Sequence, residues 1–243
     1  MASVLRDHTV DNLRSEILHL EGFRSRRNVT LDIRLGPIIN AFPNAGFPIG
    51  AVHEFLSERP EDLASTSGFI SALSSSLMGK KGVAFWISTS RMLYPPALKS
   101  FGIEPDRFIF VDLHKEKDVL WATNEALKCN AISAVITQVR EIDFNTSRRI
   151  QLAVEQSEVT GFIIRSNCKH IGPTACVSRW KISSLSSESH EDLPGVGFPK
   201  WKVELLKIRN GRPGAWDMQW ANGRFVPVYH IPSVIQEQQK QAS

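Results

Sequence analysis

The sequence predicts an α/β protein with one mostly parallel sheet, helices on both of its faces and an antiparallel extension at the carboxy-terminal end. Two observations predict the parallel part. The apolar runs AVHEFL, VAFWIS, RFIFVD, AISAVITQV and GFIIR recur between Ala51 and Arg165, and near-continuous runs of this kind belong to strands buried on both faces. The stretches between them place apolar residues at steps of three and four, the helical period, so strand and helix alternate as they do around a parallel sheet. A third observation predicts the extension. From Ala175 the segments CVSRWKISSL, KWKVELLKIR and AWDMQWANGRFVPVYH follow one another with turns and no helical pattern, which reads as antiparallel strands.

Composition bounds the rest. A chain of 243 residues with 42% hydrophobic content buries one sizeable core with little left for a second. The division expected is an N-terminal helix and linker over 1–50, the core over 51–225, and a polar, Gln-rich flexible tail over 226–243. No apolar run reaches the roughly 18 to 20 residues that span a bilayer, and the start MASVLRDHTVDNLRSEIL is charged where a secretory signal is apolar. Three cysteines, Cys129, Cys168 and Cys176, are not a disulfide framework and fit a reducing compartment. These readings exclude a membrane protein and predict a cytoplasmic one. A net charge of +4 and a pI near 9.0 suit contact with nucleic acid, yet many proteins that never touch it are as basic.

In chain order, residues 8–23 predict an amphipathic helix with Val10, Leu13, Ile17 and Leu20 on one stripe, which must be covered by its own domain or by another chain. Residues 24–50 are rich in Gly, Pro and Asn and read as a connector with little regular structure. The strand Ala51–Leu56 follows, then a loop over 57–68, then a helix carrying Phe69, Ile70, Leu73 and Leu77. After the basic turn MGKKG come the strand Val83–Ser88, a short helix over Pro95–Ser100 closed by Gly102, and the strand Arg107–Asp112. A helix over Lys115–Cys129, the strand Ala131–Val139, a helix over Asn145–Val159 with Ile150, Ala153 and Val154 inward, and the strand Gly161–Arg165 complete the parallel part.

The stretch Ala51–Gly68 is where a phosphate-binding loop belongs, between a buried strand and a helix. Such a loop needs GxxxxGK[S/T], with glycines that let backbone N–H groups wrap the phosphates, a lysine for the terminal phosphates and a hydroxyl for magnesium. Here the loop keeps Pro60 and Glu61, with small residues such as Ser67 before Gly68, and the lysine and hydroxyl positions hold Phe69 and Ile70. On the local pattern alone, an ordinary strand-loop-helix turn is the better account.

The order of elements resembles the core of the RecA-like recombinases. More closely, the chain resembles the ImuA family of RecA-related proteins from bacterial mutagenesis cassettes. The resemblance is carried by FPIGAVHEF at 47–55, TSGFI at 66–70, YPPAL at 94–98, DLHKEKDVLWATNEALKC at 112–129, SRRIQLAVEQS at 147–157 and PKWKVELLKIRNGRPGAW at 199–216. It covers roughly residues 10–225, and it lies in the order and spacing of the segments rather than in one motif. It implies a RecA-like core whose nucleotide site is degenerate at Pro60, Glu61, Ser67, Gly68, Phe69 and Ile70. Other catalytic positions agree. A RecA-type ATPase has a water-activating glutamate after the strand that follows the loop-helix, where this chain has Ser88, Thr89 and Ser90, and an aspartate at the end of the next buried strand, where it has Thr137 and Gln138. The expectation is a protein that is not an enzyme and holds no cofactor and no metal.

The resemblance implies an accessory subunit of translesion synthesis in the DNA-damage response, paired with a Y-family polymerase-like protein of the ImuB type, with RecA or single-stranded DNA as further partners and with self-association open. A cell-division inhibitor resembling SulA, and an active nucleotide-binding recombinase, are the alternative readings. In RecA-like proteins the loop after the fourth core strand touches single-stranded DNA. Its equivalent here is 166–174, where Arg165, Lys169, His170 and Arg179 are candidate phosphate contacts and Trp180 is either a stacking surface or a core residue. Arg148 and Arg149 form a second basic cluster that a solvated helix face explains as well. Cys168, His170 and Cys176 lack a fourth zinc ligand, and His53 and Glu54, adjacent on a strand, point to opposite faces and make no acid/base pair.

Overall fold

The computed structural model of the protein describes residues 33–166, 168, 171–187 and 197–229. In chain order the elements are β1 (Val52–Ser57), α1 (Pro60–Met78), β2 (Ala84–Ser88), β3 (Phe108–Asp112), α2 (Glu116–Ala126), β4 (Ala134–Val139), α3 (Phe144–Ser157), β5 (Thr160–Ser166), β6 (Ser178–Leu185), β7 (Lys200–Ile208), β8 (Gly214–Ala221) and β9 (Arg224–Pro227). One nine-stranded sheet runs in the order β3-β2-β4-β5-β1-β6-β7-β8-β9. The fold is α/β, mostly parallel, with an antiparallel carboxy-terminal extension, as the sequence predicts.

Burial on both faces explains the apolar strands: β1 and β4 are buried at every position. Alternate side chains supply two cores. On one face Phe55, Ile136, Phe162 and Ile164 pack with Phe69, Ile70 and Leu73 of α1. On the other, Val52, Val135, Val139 and Ile163 pack with Val119 of α2 and with Ile150, Ala153 and Val154 of α3, the inward residues expected for α3. Asp143 caps α3 by accepting from the Thr146 backbone N–H at 2.8 Å, a bond that holds its carboxylate pKa below the usual value. The expected short helix after Leu93 is a 3-10 turn, Pro95–Phe101, closed by Gly102 at φ 74°, where an L side chain is strained.

Three expectations are corrected. First, the loop read over 57–68 does not exist as a loop, because α1 starts at Pro60 and only Glu58 and Arg59 separate it from β1. Proline at the first helical position and acids in the first turn, Glu61 and Asp62, are ordinary helix-start chemistry. Second, β6 is not antiparallel to the core: it runs parallel to β1, with His53 opposite Ser178 and Leu56 opposite Lys181, and the antiparallel pairing begins with β7. The connection from β5 crosses over β1 to reach it, and its described part, 171–177, contains no helix. Third, the described part of the connector is core. Ile33, Leu35, Ile38, Ala41, Phe42 and Phe47 are all buried, held through two 3-10 turns at Gly36–Ala41 and Pro43–Ala45. The helix expected over 8–23, with Val10, Leu13, Ile17 and Leu20, and the tail beyond 229 lie outside the described residues.

Candidate functional site

At the carboxy ends of β1, β2, β4 and β5, beside the start of α1, lies a crevice of about 220 Å³ lined by Ser57, Pro60, Thr89, Ser90, Gln138 and Ser166 among others. This is where open parallel sheets hold ligands. Its charges are already matched. Arg59 grips the buried Asp62 through Nε at 3.2 Å and Nη2 at 3.1 Å, and that hydrogen bond raises the pKa of its guanidinium. Glu116 accepts from the Arg140 backbone N–H at 3.0 Å and pairs with the Arg140 guanidinium. The Ser57 and Thr66 hydroxyls bond to each other at 3.1 Å.

The residues expected to form the degenerate loop are therefore divided. Pro60 lines the crevice at the helix start and has no N–H to offer an anion, while Glu61 and Asp62 in the first turn put negative charge at the helix end that would attract one. Ser67, Gly68, Phe69 and Ile70 lie farther along α1, away from the crevice. Phe69 is fully buried, with ring centroids of Phe225 at 4.9 Å, Trp201 at 5.9 Å and Trp180 at 6.1 Å. Gly68 has a packing role. A Cβ there would lie 3.3 Å from the Trp201 ring and 3.4 Å from the Phe101 ring, so the glycine lets β7 close on the helix. Among the candidate catalytic positions, Thr89, Ser90 and Gln138 do reach the crevice, while Thr137 points to the opposite face and bonds Thr123 at 2.8 Å. The Gln138 side-chain oxygen and the Ser88 hydroxyl are buried without a partner.

A second polar cluster is buried under the crossover segment, and it claims two of the candidate DNA contacts. Glu54 is fully buried on β1. Its Oε1 accepts from Arg165 at 2.9 Å, and its Oε2 accepts from the Thr174 hydroxyl at 2.9 Å and from Arg179 Nε at 2.6 Å. Arg179 also donates to the Gly172 carbonyl at 2.7 Å, and the Ala175 N–H donates to the α3 residue Ser147 at 3.0 Å. Arg165 and Arg179 thus face inward, 3% and 13% exposed along their side chains, and pin the segment to the sheet. Trp180 is a core residue at 0% exposure. Lys169 and His170 lie outside the described residues. Sequence reasoning missed this cluster because Glu54, Arg165 and Arg179 are far apart in the chain; the available signal was a lone acid in an apolar strand, which requires a buried cation.

His53 indeed points the other way from Glu54. Its Nε2 lies 2.8 Å from the Pro48 carbonyl, which only accepts, so Nε2 carries the proton and Nδ1 accepts from the Ser178 hydroxyl at 2.6 Å. Ser178 in turn accepts from Trp180 Nε1 at 2.6 Å. Stacked on Phe47 and wholly buried, the imidazole has its pKa lowered to about 4 by desolvation. Burial likewise pushes the Cys176 thiol up to about 12. No cluster of His, Cys, Asp and Glu able to hold a metal ion occurs among the described residues, and no helix among them is long and apolar enough to cross a membrane.

A mostly parallel sheet with helices on both faces, a carboxy-terminal antiparallel extension and a charge-matched crevice at the strand ends define an α/β scaffold. No family model matches the chain. Protein ImuA of Caulobacter vibrioides, in each of two strains, is 30% identical over 194 residues that span 75% of this chain and 80% of that protein. The chain belongs to the ImuA family.

Proposed function

We propose that the protein is a non-catalytic accessory subunit of error-prone, translesion DNA synthesis in the DNA-damage response, acting by binding rather than by nucleotide hydrolysis. Its partner is a polymerase-like protein of the Y family, the ImuB type, with RecA or single-stranded DNA as further contacts. Membership of the ImuA family supports the setting. The observation that carries the non-catalytic reading is the course of α1: the helix occupies the stretch a phosphate loop requires, it brings a proline to the crevice, and its first turn holds two acids where N–H groups and a lysine would be needed. The inward Arg165 and Arg179 support a structural rather than a DNA-contacting role for those two residues, which leaves Lys169 and His170 as the candidate single-strand contacts.

Two measurements test the reading together. Isothermal titration should give no magnesium-dependent ATP binding tighter than about millimolar, which corresponds to roughly 4 kcal/mol, and no turnover should be detected. Co-expression with a Y-family polymerase-like protein should yield a complex that survives purification. Micromolar ATP binding would remove the non-catalytic half, and absence of the complex the accessory half.

A further inference from the structure

The crevice at the carboxy ends of β1, β2, β4 and β5 keeps a polar group that the fold leaves unused. Gln138 lines it from the end of β4 and is only 7% exposed, yet its Oε1 has no hydrogen-bond partner. The neighbouring strand repeats the pattern. Trp86 lies opposite Ile136 and Ile87 opposite Thr137, so Ser88 and Gln138 come next, side by side and on the α1 side of the sheet, where Trp86 and Ile136 join the core. The Ser88 hydroxyl is also buried and unpaired. Buried polar atoms left in this way cost free energy until something bonds them. The charged residues that line the crevice are in the opposite condition, because Arg59 is held by Asp62 and Arg140 by Glu116. What remains for a ligand is an amide and hydroxyls, those of the exposed Thr89 and Ser90 included, together with the apolar surfaces of Pro60, Leu63, Met92 and Val139.

We infer that the crevice binds an uncharged nucleobase by its lactam edge, with Gln138 as the residue that reads that edge. The paired charges leave an ionic ligand no free counter-ion, and Glu61 and Asp62 in the first turn of α1 oppose a phosphate. A neutral ligand is selected. A carboxamide offers one acceptor beside one donor, and its complement is a ring N–H beside a C=O, as in thymine, uracil or hypoxanthine. A half-turn of the terminal amide exchanges Oε1 with Nε2 and breaks no bond of Oε1, so the side chain can turn its acceptor to the ligand. The volume, about 220 Å³, lies below the roughly 300 Å³ at which sites for drug-sized ligands begin. That suits a ligand of one or two rings, whose faces the apolar lining can cover. The base can come as a free nucleoside or on a single strand, and the lactam edge is common to both. The accessory role proposed above needs no such ligand, so this inference goes beyond it and can fail alone.

The test uses the full chain labelled with nitrogen-15, titrated with thymidine and with inosine while the side-chain amide signals are followed. The Gln138 signal is the one missing from the variant Gln138→Leu. It should shift saturably with a Kd of about 1 mM or tighter. N3-methylthymidine and N1-methylinosine, which lack the lactam N–H, should bind more weakly by roughly tenfold or more, the scale of one lost hydrogen bond. Gln138→Leu should lose thymidine binding by a similar factor while melting at the same temperature as wild type or higher, since leucine removes a buried oxygen that has no partner. Thymidine triphosphate with magnesium should bind no more tightly than thymidine. A short thymidine oligonucleotide separates the sources: tighter binding than thymidine, lost in Gln138→Leu, assigns the base to a strand, and equal or weaker binding assigns it to a free nucleoside. A Gln138 signal that neither nucleoside moves, methylated probes that bind as well as the parents, or a triphosphate that binds more tightly with magnesium would each overturn the inference. The methylated probes are read on the wild type, so the outcome stands even where the variant folds poorly.

Discussion

At the scale of single residues, two buried polar groups set opposite demands. His53 is neutral in the folded protein because burial lowers its pKa from 6.5 to about 4, while in the unfolded chain it takes up a proton near 6.5. The unfolded state therefore binds the additional proton between those values. Its neutrality contributes no pH dependence above about 6.5, and stability falls as pH drops from there to about 4, by roughly 3 kcal/mol in total at 1.36 kcal/mol per unit. Urea melts at pH 7 and pH 4.5 should show the loss, and His53→Gln should reduce the dependence over that window. Glu54 is the reverse case, a charge that must stay. Glu54→Gln leaves Arg165 and Arg179 without their carboxylate in a dry site and should cost roughly 3–5 kcal/mol, with the crossover segment at 171–175 loosening first. Hydrogen exchange at Ala175, whose N–H is held by Ser147, reports that loosening. A variant as stable as wild type with normal protection at Ala175 would show that the pair is ornamental.

At the scale of elements, α1 fills the stretch where a phosphate-binding loop was expected. The helix is rich in serine, and its hydroxyls are turned back on its own backbone: Ser67 donates to the Leu63 carbonyl and Ser71 to the Ser67 carbonyl, both at 2.8 Å. That suits a helix buried nearly all round, between the sheet and the aromatic side chains of the extension. Phe69→Lys would set a charge among Phe55, Trp180, Trp201 and Phe225 and should destabilise by several kcal/mol, about 3–5, with no gain of ATP binding. Calorimetry with and without nucleotide tests both parts, and ATP-dependent stabilisation of the variant would contradict the placement of Phe69. The start of this helix was legible in the sequence. Leu63, Thr66, Ile70, Leu73 and Leu77 repeat at steps of three and four from just after Pro60, and proline followed by two acids is a helix-start signal. It was hidden because TSG before Phe69 resembles the end of a phosphate loop. The parallel strands were legible because burial on both faces leaves continuous apolar runs. The direction of β6 was not, since nothing local distinguishes a strand that pairs with β1 from one that pairs only with β7; the crossover that decides it is made without a helix. The inward turn of Arg165 and Arg179 was equally invisible, because it depends on Glu54, a residue more than a hundred positions earlier in the chain.

At the scale of the whole molecule, the open matter is what residues 1–23 dock against. The core begins with Ile33 and Leu35, each 1% exposed, and Ile38 at 0%, so the connector that follows the amino-terminal segment is already locked by the Phe225 and Met218 side of the extension; the Phe225 N–H donates to the Arg34 carbonyl at 3.2 Å. A stripe of four aliphatic residues, Val10, Leu13, Ile17 and Leu20, is worth roughly 1.5–3 kcal/mol per fully buried side chain before ordering costs, enough to anchor a helix in a groove of another chain. The tail from Pro232 offers only Val234 and Ile235. The expected outcome is that deleting 1–23 keeps the melting temperature within about 2 °C of wild type while abolishing either self-association or co-purification with the polymerase-like partner, and that deleting 232–243 has the smaller effect on both. Sedimentation, melting and pull-down on the same truncated protein read these outcomes separately. A large fall in melting temperature with no distinct binding defect would mean that the helix packs on its own core, and the docking role would then pass to another surface.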